Sequence, residues 1–229
     1  MNRGRLLELA NRGRAMTRHP QNRGGDWWKI GNADGDRAEV FIYGHIGDDW
    51  AEEDVTAASF TKALRAITAP AIDLRVNSPG GAVFDGIAIY TALLDHPATV
   101  DVTVDGVAAS AASFVSMAGN TVAMQKPAKM MIHDASGIVL GNAADMQEMA
   151  DLLNELSDTI AGIYADRAGG TVAKWRDAMK AETWYSAAAA VEAGLADQVV
   201  NDTTQSAPED RRSQVIRARA RLLRERGVK

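Results

Sequence analysis

Ser110 lies in Gly106-Val107-Ala108-Ala109-Ser110-Ala111-Ala112-Ser113, a run of small side chains, and His133 closes Met130-Met131-Ile132-His133 further on. A serine hydroxyl is a weak nucleophile until a neighbouring base takes its proton, and imidazole is the usual base. Small flanking residues let a strand turn sharply into a helix and let a substrate backbone reach the hydroxyl. A third segment, Asn77-Ser78-Pro79-Gly80-Gly81, sets two glycines behind a proline. Backbone N–H groups with no side chain in the way suit an oxyanion hole, which aims donors at the charge developing on a tetrahedral intermediate. Taken singly, each segment has a plainer reading. Pro-Gly-Gly is a tight turn, Ser110 is a helix N-cap, and His133 is a core histidine on an apolar strand. The other histidines are His19 near the N-terminus, His45 in an acidic turn and His96 beside Pro97. None has a comparable setting.

The elements that must position these residues alternate between strand and helix. Glu39–Gly44 reads as a buried strand, followed by a helix near Ala51–Thr68 that Pro70 stops. Ala71–Val76 is a strand ending at Asn77–Gly81, and a helix covers about Val83–Asp95. Thr99–Val104 is a strand leading to Ser110, Ser113–Gly119 a helix, and Thr121–Met124 and Met130–His133 two short strands. A long helix is expected over Ala143–Ala168, closed by Gly169-Gly170. Its apolar positions Met146, Met149, Leu153, Leu156, Ile160 and Ile163 form a heptad-like stripe. Such a stripe is core packing or a face for another subunit. A helix near Val172–Met179 and one from about Tyr185 to a cap at Gly194 follow. The pattern predicts an α/β fold with strand ends converging on a cleft.

Composition narrows the chemistry. The 229 residues suffice for one large domain. There is no cysteine, hence no disulfide, no thiol nucleophile and no thiolate metal site. The net charge is −5; residues 1–25 and 208–229 each carry +5, which leaves −15 in between. An acidic body argues against nucleic acid as the main partner, while the basic ends fit solvated termini or contacts to an acidic partner. No secretory leader is evident, and the long uncharged stretch Gly106–Gln125 is too rich in Ala, Ser, Gly and Thr for a membrane span. A cytoplasmic setting is expected. No Gly-x-x-x-x-Gly-Lys loop occurs, so ATP-driven work would belong to another protein.

Together, Asn77–Gly81, Gly106–Ser110 and Met131–His133 resemble the three signature segments of the ClpP family of serine peptidases, in order and at similar spacing. The resemblance extends through Gly137…Gly141-Asn142-Ala143-Ala144-Asp145 and Trp184-Tyr185-Ser186-Ala187…Gly194-Leu195-Ala196-Asp197, covering residues 38–200. It implies a ClpP/crotonase-type fold of repeated β-β-α units with a long projecting helix for oligomer contacts. The domain 38–200 would then lie between a basic arm, 1–37, and a basic tail, 201–229. It implies Ser110 as nucleophile, His133 as general base, and Gly81 and Ala111 as oxyanion donors. An extended peptide substrate would add as a strand along Pro79, Gly80 and a strand at Gly137–Gly141. The family's third triad member, an aspartate, corresponds here to Glu182. A glutamate can hold an imidazole tautomer, but its extra methylene requires the backbone or rotamer to shift. Neither metal nor cofactor is called for; the partners implied are protein substrates and further copies of the chain in rings.

Val83–Tyr90 and Ala181–Trp184 look more like the ClpP-related head maturation proteases of tailed phages, which cleave scaffold and capsid proteins. The competing readings are a housekeeping subunit working with an ATPase unfoldase, a Ser/Lys dyad using Lys126 or Lys129, and a catalytically inert ring or scaffold component.

Overall fold

The computed structural model describes residues 28–31, 36–47 and 56–200, so the basic ends and His19 lie outside the described residues. The described chain divides into two compact units, one of residues 28–131 with 184–200, the other of residues 132–183.

The larger unit is built on strands β1 (Trp28–Gly31), β2 (Arg37–Ile46), β3 (Ala71–Gly81), β4 (Thr99–Ala109), β5 (Thr121–Gln125) and β8 (Gln198–Val200), in that spatial order. β1 is antiparallel to β2, and β2, β3, β4, β5 and β8 are parallel. Off this path, β6 (Lys129–Ile132) lies beside β4, and β7 (Thr183–Ser186) beside β6. Strand periodicity sorts the side chains. Val40, Ile42, Ile72, Leu74, Val76, Val100, Val102 and Val104 are buried on one face. Each such residue, fully buried, contributes about 1.5–3 kcal/mol. Helices α1 (Ala57–Arg65), α2 (Val83–Leu94) and α3 (Ala111–Ser116) supply Phe60, Leu64, Ile89, Leu93, Phe114 and Val115 to the buried core. The other face carries a cross-strand charge ladder. Arg37 Nε donates to Asp73 at 2.8 Å and its Nη2 to Asp101 at 2.6 Å, while Thr121 donates to Asp101 at 2.6 Å. Beside it, Arg75 Nε donates to Asp105 at 2.9 Å, and Tyr43 donates to the same carboxylate. The Arg37 bond holds the Asp73 carboxyl below its ordinary value, against the upward push of burial.

The smaller unit pairs α4 (Ala143–Ala168) with α5 (Val172–Lys180). Asn142 caps α4, its side chain accepting from the N–H of Ala144 and Asp145 while Asp145 accepts from that of Asn142. The helix ends at Gly169, with φ 76°. Trp175, on α5, donates from Nε1 to the Gly169 carbonyl at 2.8 Å and stacks obliquely on Tyr164 at 5.8 Å.

The mixed α/β fold with a long helix is as expected, and α4 has its expected limits. Several element readings need correction. Of the helix expected near Ala51–Thr68, the described part runs Ala57–Arg65 behind a capping box of Thr56 and Ser59, and residues 51–55 lie outside the described residues. β4 continues five residues beyond Val104, and the helix after it begins at Ala111 rather than Ser113. His45 belongs to β2 rather than to a turn. Residues 137–141 form no strand. β1, which pairs with β2, has no counterpart among the elements expected from sequence.

Candidate functional site

Within the larger unit, two irregularities shape the end of β4. The β2/β3 register moves by one residue between Tyr43 and His45, and the β3/β4 register shifts between Val76 and Ser78. Bulges of this kind re-aim a strand end. β4 pairs with β5 over Asp101–Val104, then changes partner and pairs with β6 over Val107–Ala109. Gly106 sits at that change, where a Cβ would come within 2.7 Å of the Asn77 side-chain oxygen. Ala108 therefore has Ser78 on one side and Met130 on the other.

Ser110 follows at once, half-buried, with φ 51° and ψ −125°. A residue with a Cβ rarely occupies this region, and holding it there stores about 1–3 kcal/mol. Three contacts fix the turn. The Ser110 N–H donates to the Met131 carbonyl at 3.0 Å, and the Ser110 carbonyl accepts from the Ser113 N–H at 3.0 Å and from the Ser113 hydroxyl. So Ser110 is not an N-cap in the usual sense, since its hydroxyl caps no N–H of α3. It stands on a sharp strand-to-helix turn, the arrangement that presents a nucleophile at a sheet edge.

Gly80 lies against that turn. A Cβ there would come within 2.5 Å of the Ala109 carbonyl oxygen and 2.7 Å of both Ala111 N and Ser110 Cβ, and φ is +93°. Only glycine lets β3 approach Ser110 so closely. Ser78 is fully buried and fastens this corner; its hydroxyl donates to the Gly44 carbonyl at 2.6 Å and accepts the Gly80 N–H at 3.0 Å. The Gly80 N–H is thereby occupied, and Gly81, the oxyanion donor that the family resemblance implies, lies next to it in register with Ile46 of β2. Ala111 opens α3, where the first N–H groups have no intrahelical acceptor. Pro79 is exposed beside them.

His133 and Glu182 both belong to the smaller unit. His133 directly follows β6 and is half-buried. Glu182 is exposed and has φ 48°, in the left-handed region; its N–H donates to the Met179 carbonyl at 3.0 Å, closing the end of α5. Each of the two non-glycine residues at positive φ among the described residues is thus a triad candidate. Gly141 lies where a Cβ would strike Asp145 of the α4 cap, whereas a Cβ at Gly137 would meet Met149 and Leu153 of α4 only at an ordinary 3.7 Å. His96 is a structural histidine, its Nε2 bonded to the Leu64 carbonyl at 3.1 Å and its Nδ1 accepting the Ala98 N–H at 3.1 Å. Lys126 and Lys129 are solvent-exposed, whereas a lysine base is one stripped of water by burial. Among the described residues, no group of three or more His, Asp or Glu side chains is placed to hold a metal ion, and no helix is long and apolar enough to cross a membrane.

The family model described as Clp protease matches residues 22–203. The chain is 35% identical over 140 residues to ATP-dependent Clp protease proteolytic subunit 3 of Streptomyces coelicolor, covering 60% of this chain and 64% of that protein. It is 33% identical over 134 residues to the ATP-dependent Clp protease proteolytic subunit of Chlorella vulgaris, covering 57% and 66%. Subunit 1 of Protochlamydia amoebophila matches at 34% over 131 residues, covering 55% and 63%. The chain thus spans slightly under two thirds of the length of these relatives. With the family model matching most of its length, the chain belongs to the Clp protease family.

Proposed function

We propose that the chain is a serine endopeptidase of the Clp type, with Ser110 as nucleophile, His133 as general base and Glu182 as the acid that orients the imidazole. The observation that carries this reading is the strained Ser110 turn, buttressed by Gly80 and bonded to Met131. In the reaction, Ser110 Oγ attacks the scissile carbonyl as His133 accepts its proton. The N–H groups of Gly81 and Ala111 stabilise the oxyanion. His133 then returns the proton to the leaving amine, and water resolves the acyl-enzyme by the reverse sequence. Pro79, Gly80, Gly137 and Gly141 would border an extended peptide held by main-chain bonds, with little sequence selectivity.

The relatives' names, ATP-dependent Clp protease proteolytic subunit, favour a proteolytic subunit whose work depends on ATP. Under this reading the chain assembles in rings and an ATPase delivers its substrates. Exposed Met146 and Leu152 on α4 offer a face for such assembly. A head maturation protease is the second reading. It rests on the Val83–Tyr90 and Ala181–Trp184 segments and on the basic ends flanking an acidic body, which would suit an acidic scaffold partner. A degradation assay separates the two. ATP-dependent loss of a folded substrate in the presence of a Clp ATPase supports the first. Unassisted cleavage of a co-assembled scaffold protein, with no response to the ATPase, supports the second. Fluorophosphonate labelling of Ser110 tests the chemistry common to both.

A further inference from the structure

Among the described residues, one charged side chain is buried: Arg176, 8% exposed, on α5. Burying a guanidinium is costly unless acceptors surround it. Here they come from two other segments of the smaller unit. Nη1 donates to the Asn154 carbonyl at 2.9 Å and to Asp158 at 2.8 Å, both on α4. Nη2 donates to Asp134 at 3.1 Å and to the Asn154 side-chain oxygen at 3.3 Å. Asp134 is the residue after His133. Its neighbour Ala135 donates its N–H to Ser157 of α4 at 2.9 Å, and Ser157 in turn donates to the Leu153 carbonyl at 2.7 Å. The segment leaving β6 is therefore stapled to α4 twice, once through Arg176. Arg176 also ties α5 to α4 ahead of Glu182, whose N–H is fixed by the last turn of α5.

We propose that Arg176 is a positioning residue for the reaction, holding the His133 segment and the Glu182 helix end in one frame through Asp134. The inference rests on the peptidase reading above. The planar fork of arginine reaches α4 and Asp134 together, which a lysine ammonium cannot reproduce. Among the described residues, Arg176 Nε and Asp134 Oδ1 are buried without a hydrogen-bond partner. The pair is thus set by the geometry it imposes rather than by full satisfaction of its own groups.

The test uses the full chain, with kcat and KM on a fluorogenic peptide, the rate of fluorophosphonate acylation, and thermal unfolding. Arg176→Gln and Asp134→Asn are each expected to lower kcat by roughly 10–100-fold with KM changed by less than about three-fold, the signature of misplaced groups rather than lost binding. Arg176→Lys recovers part of the loss. Trp175→Phe is the control: it removes the neighbouring bond to the Gly169 carbonyl, loosening α5 without touching Asp134. It is expected to lower stability while keeping kcat within about two-fold. If Arg176→Gln does not fold, Asp134→Asn decides, since it keeps the shape and leaves the α4 bonds of Arg176 in place. The inference is overturned if folded Arg176→Gln or Asp134→Asn keeps wild-type kcat, or if Trp175→Phe loses kcat equally. A wild-type chain that takes no label would sink the peptidase reading itself, and this inference with it.

Discussion

Replacing Ser110 by glycine should make the protein more stable than replacing it by alanine, although both variants are expected to be inert. Both lose the hydroxyl, so their difference isolates the Cβ. At φ 51° and ψ −125° a Cβ is strained by about 1–3 kcal/mol. Against that relief stand about 0.5–1 kcal/mol for the extra freedom of glycine in the unfolded chain and about 0.4 kcal/mol for a half-buried methyl. The balance is about 1 kcal/mol in favour of glycine, equivalent to a rise in Tm of about 2–4 °C for a chain of this size. Urea unfolding at equal protein concentration and matched m values reads it directly. A Ser110→Gly protein less stable than Ser110→Ala would refute the claim that the turn carries strain, and with it the argument that the fold sacrifices stability to present this residue.

Gly80→Ala would place a methyl against the Ala109 carbonyl and Ala111 N at positive φ. A loss of about 2–5 kcal/mol and a collapse of fluorophosphonate labelling are expected, and near-native stability would contradict the close approach of β3 to Ser110. Glu182→Gln should lower kcat by about 10³–10⁴-fold while Glu182→Asp stays active; an unchanged Gln variant would remove Glu182 from the triad. Arg37→Met tests the charge ladder. Asp73 is held below its ordinary value mainly by Arg37, so the ladder's contribution is present above the unfolded carboxylate pKa and is lost as pH falls through the lowered one. The pair is exposed by 47% and 38%, so screening limits the gap to about 0.5 kcal/mol at neutral pH. The gap should shrink below about pH 4. A gap that widens on acidification would rule the ladder out.

The legibility of this fold from sequence follows its physics. The limits of α4 were readable because Asn142 and Gly169 are strong local end signals flanking a long periodic run. Its apolar stripe was less informative: Ile160 and Ile163 are buried, but Met146 is 48% exposed, and periodicity does not distinguish core from surface awaiting a partner. The extension of β4 to Ala109 was hidden because Asp105 and Gly106 interrupt its hydrophobic run, and the change of strand partner from β5 to β6 is a long-range event. The strand expected at 137–141 is replaced by irregular chain in which Gly141 leaves room for Asp145 of the α4 cap. Ser110 and His133 stood out by type and spacing, but the strain at Ser110 and Glu182 is backbone geometry that side-chain identity does not announce. Arg176 was invisible for a related reason. In sequence it is one arginine among many, and only burial against Asp134 and Asn154 distinguishes it.

The central claim is that Ser110 is an activated nucleophile. Its most direct test is fluorophosphonate labelling of the full chain, read by peptide mass, in wild type, Ser110→Ala and His133→Ala. The account predicts label on Ser110 alone in wild type, none in Ser110→Ala, and a severe loss of labelling rate in His133→Ala. A folded wild type that takes no label, or one labelled equally well without His133, would contradict it.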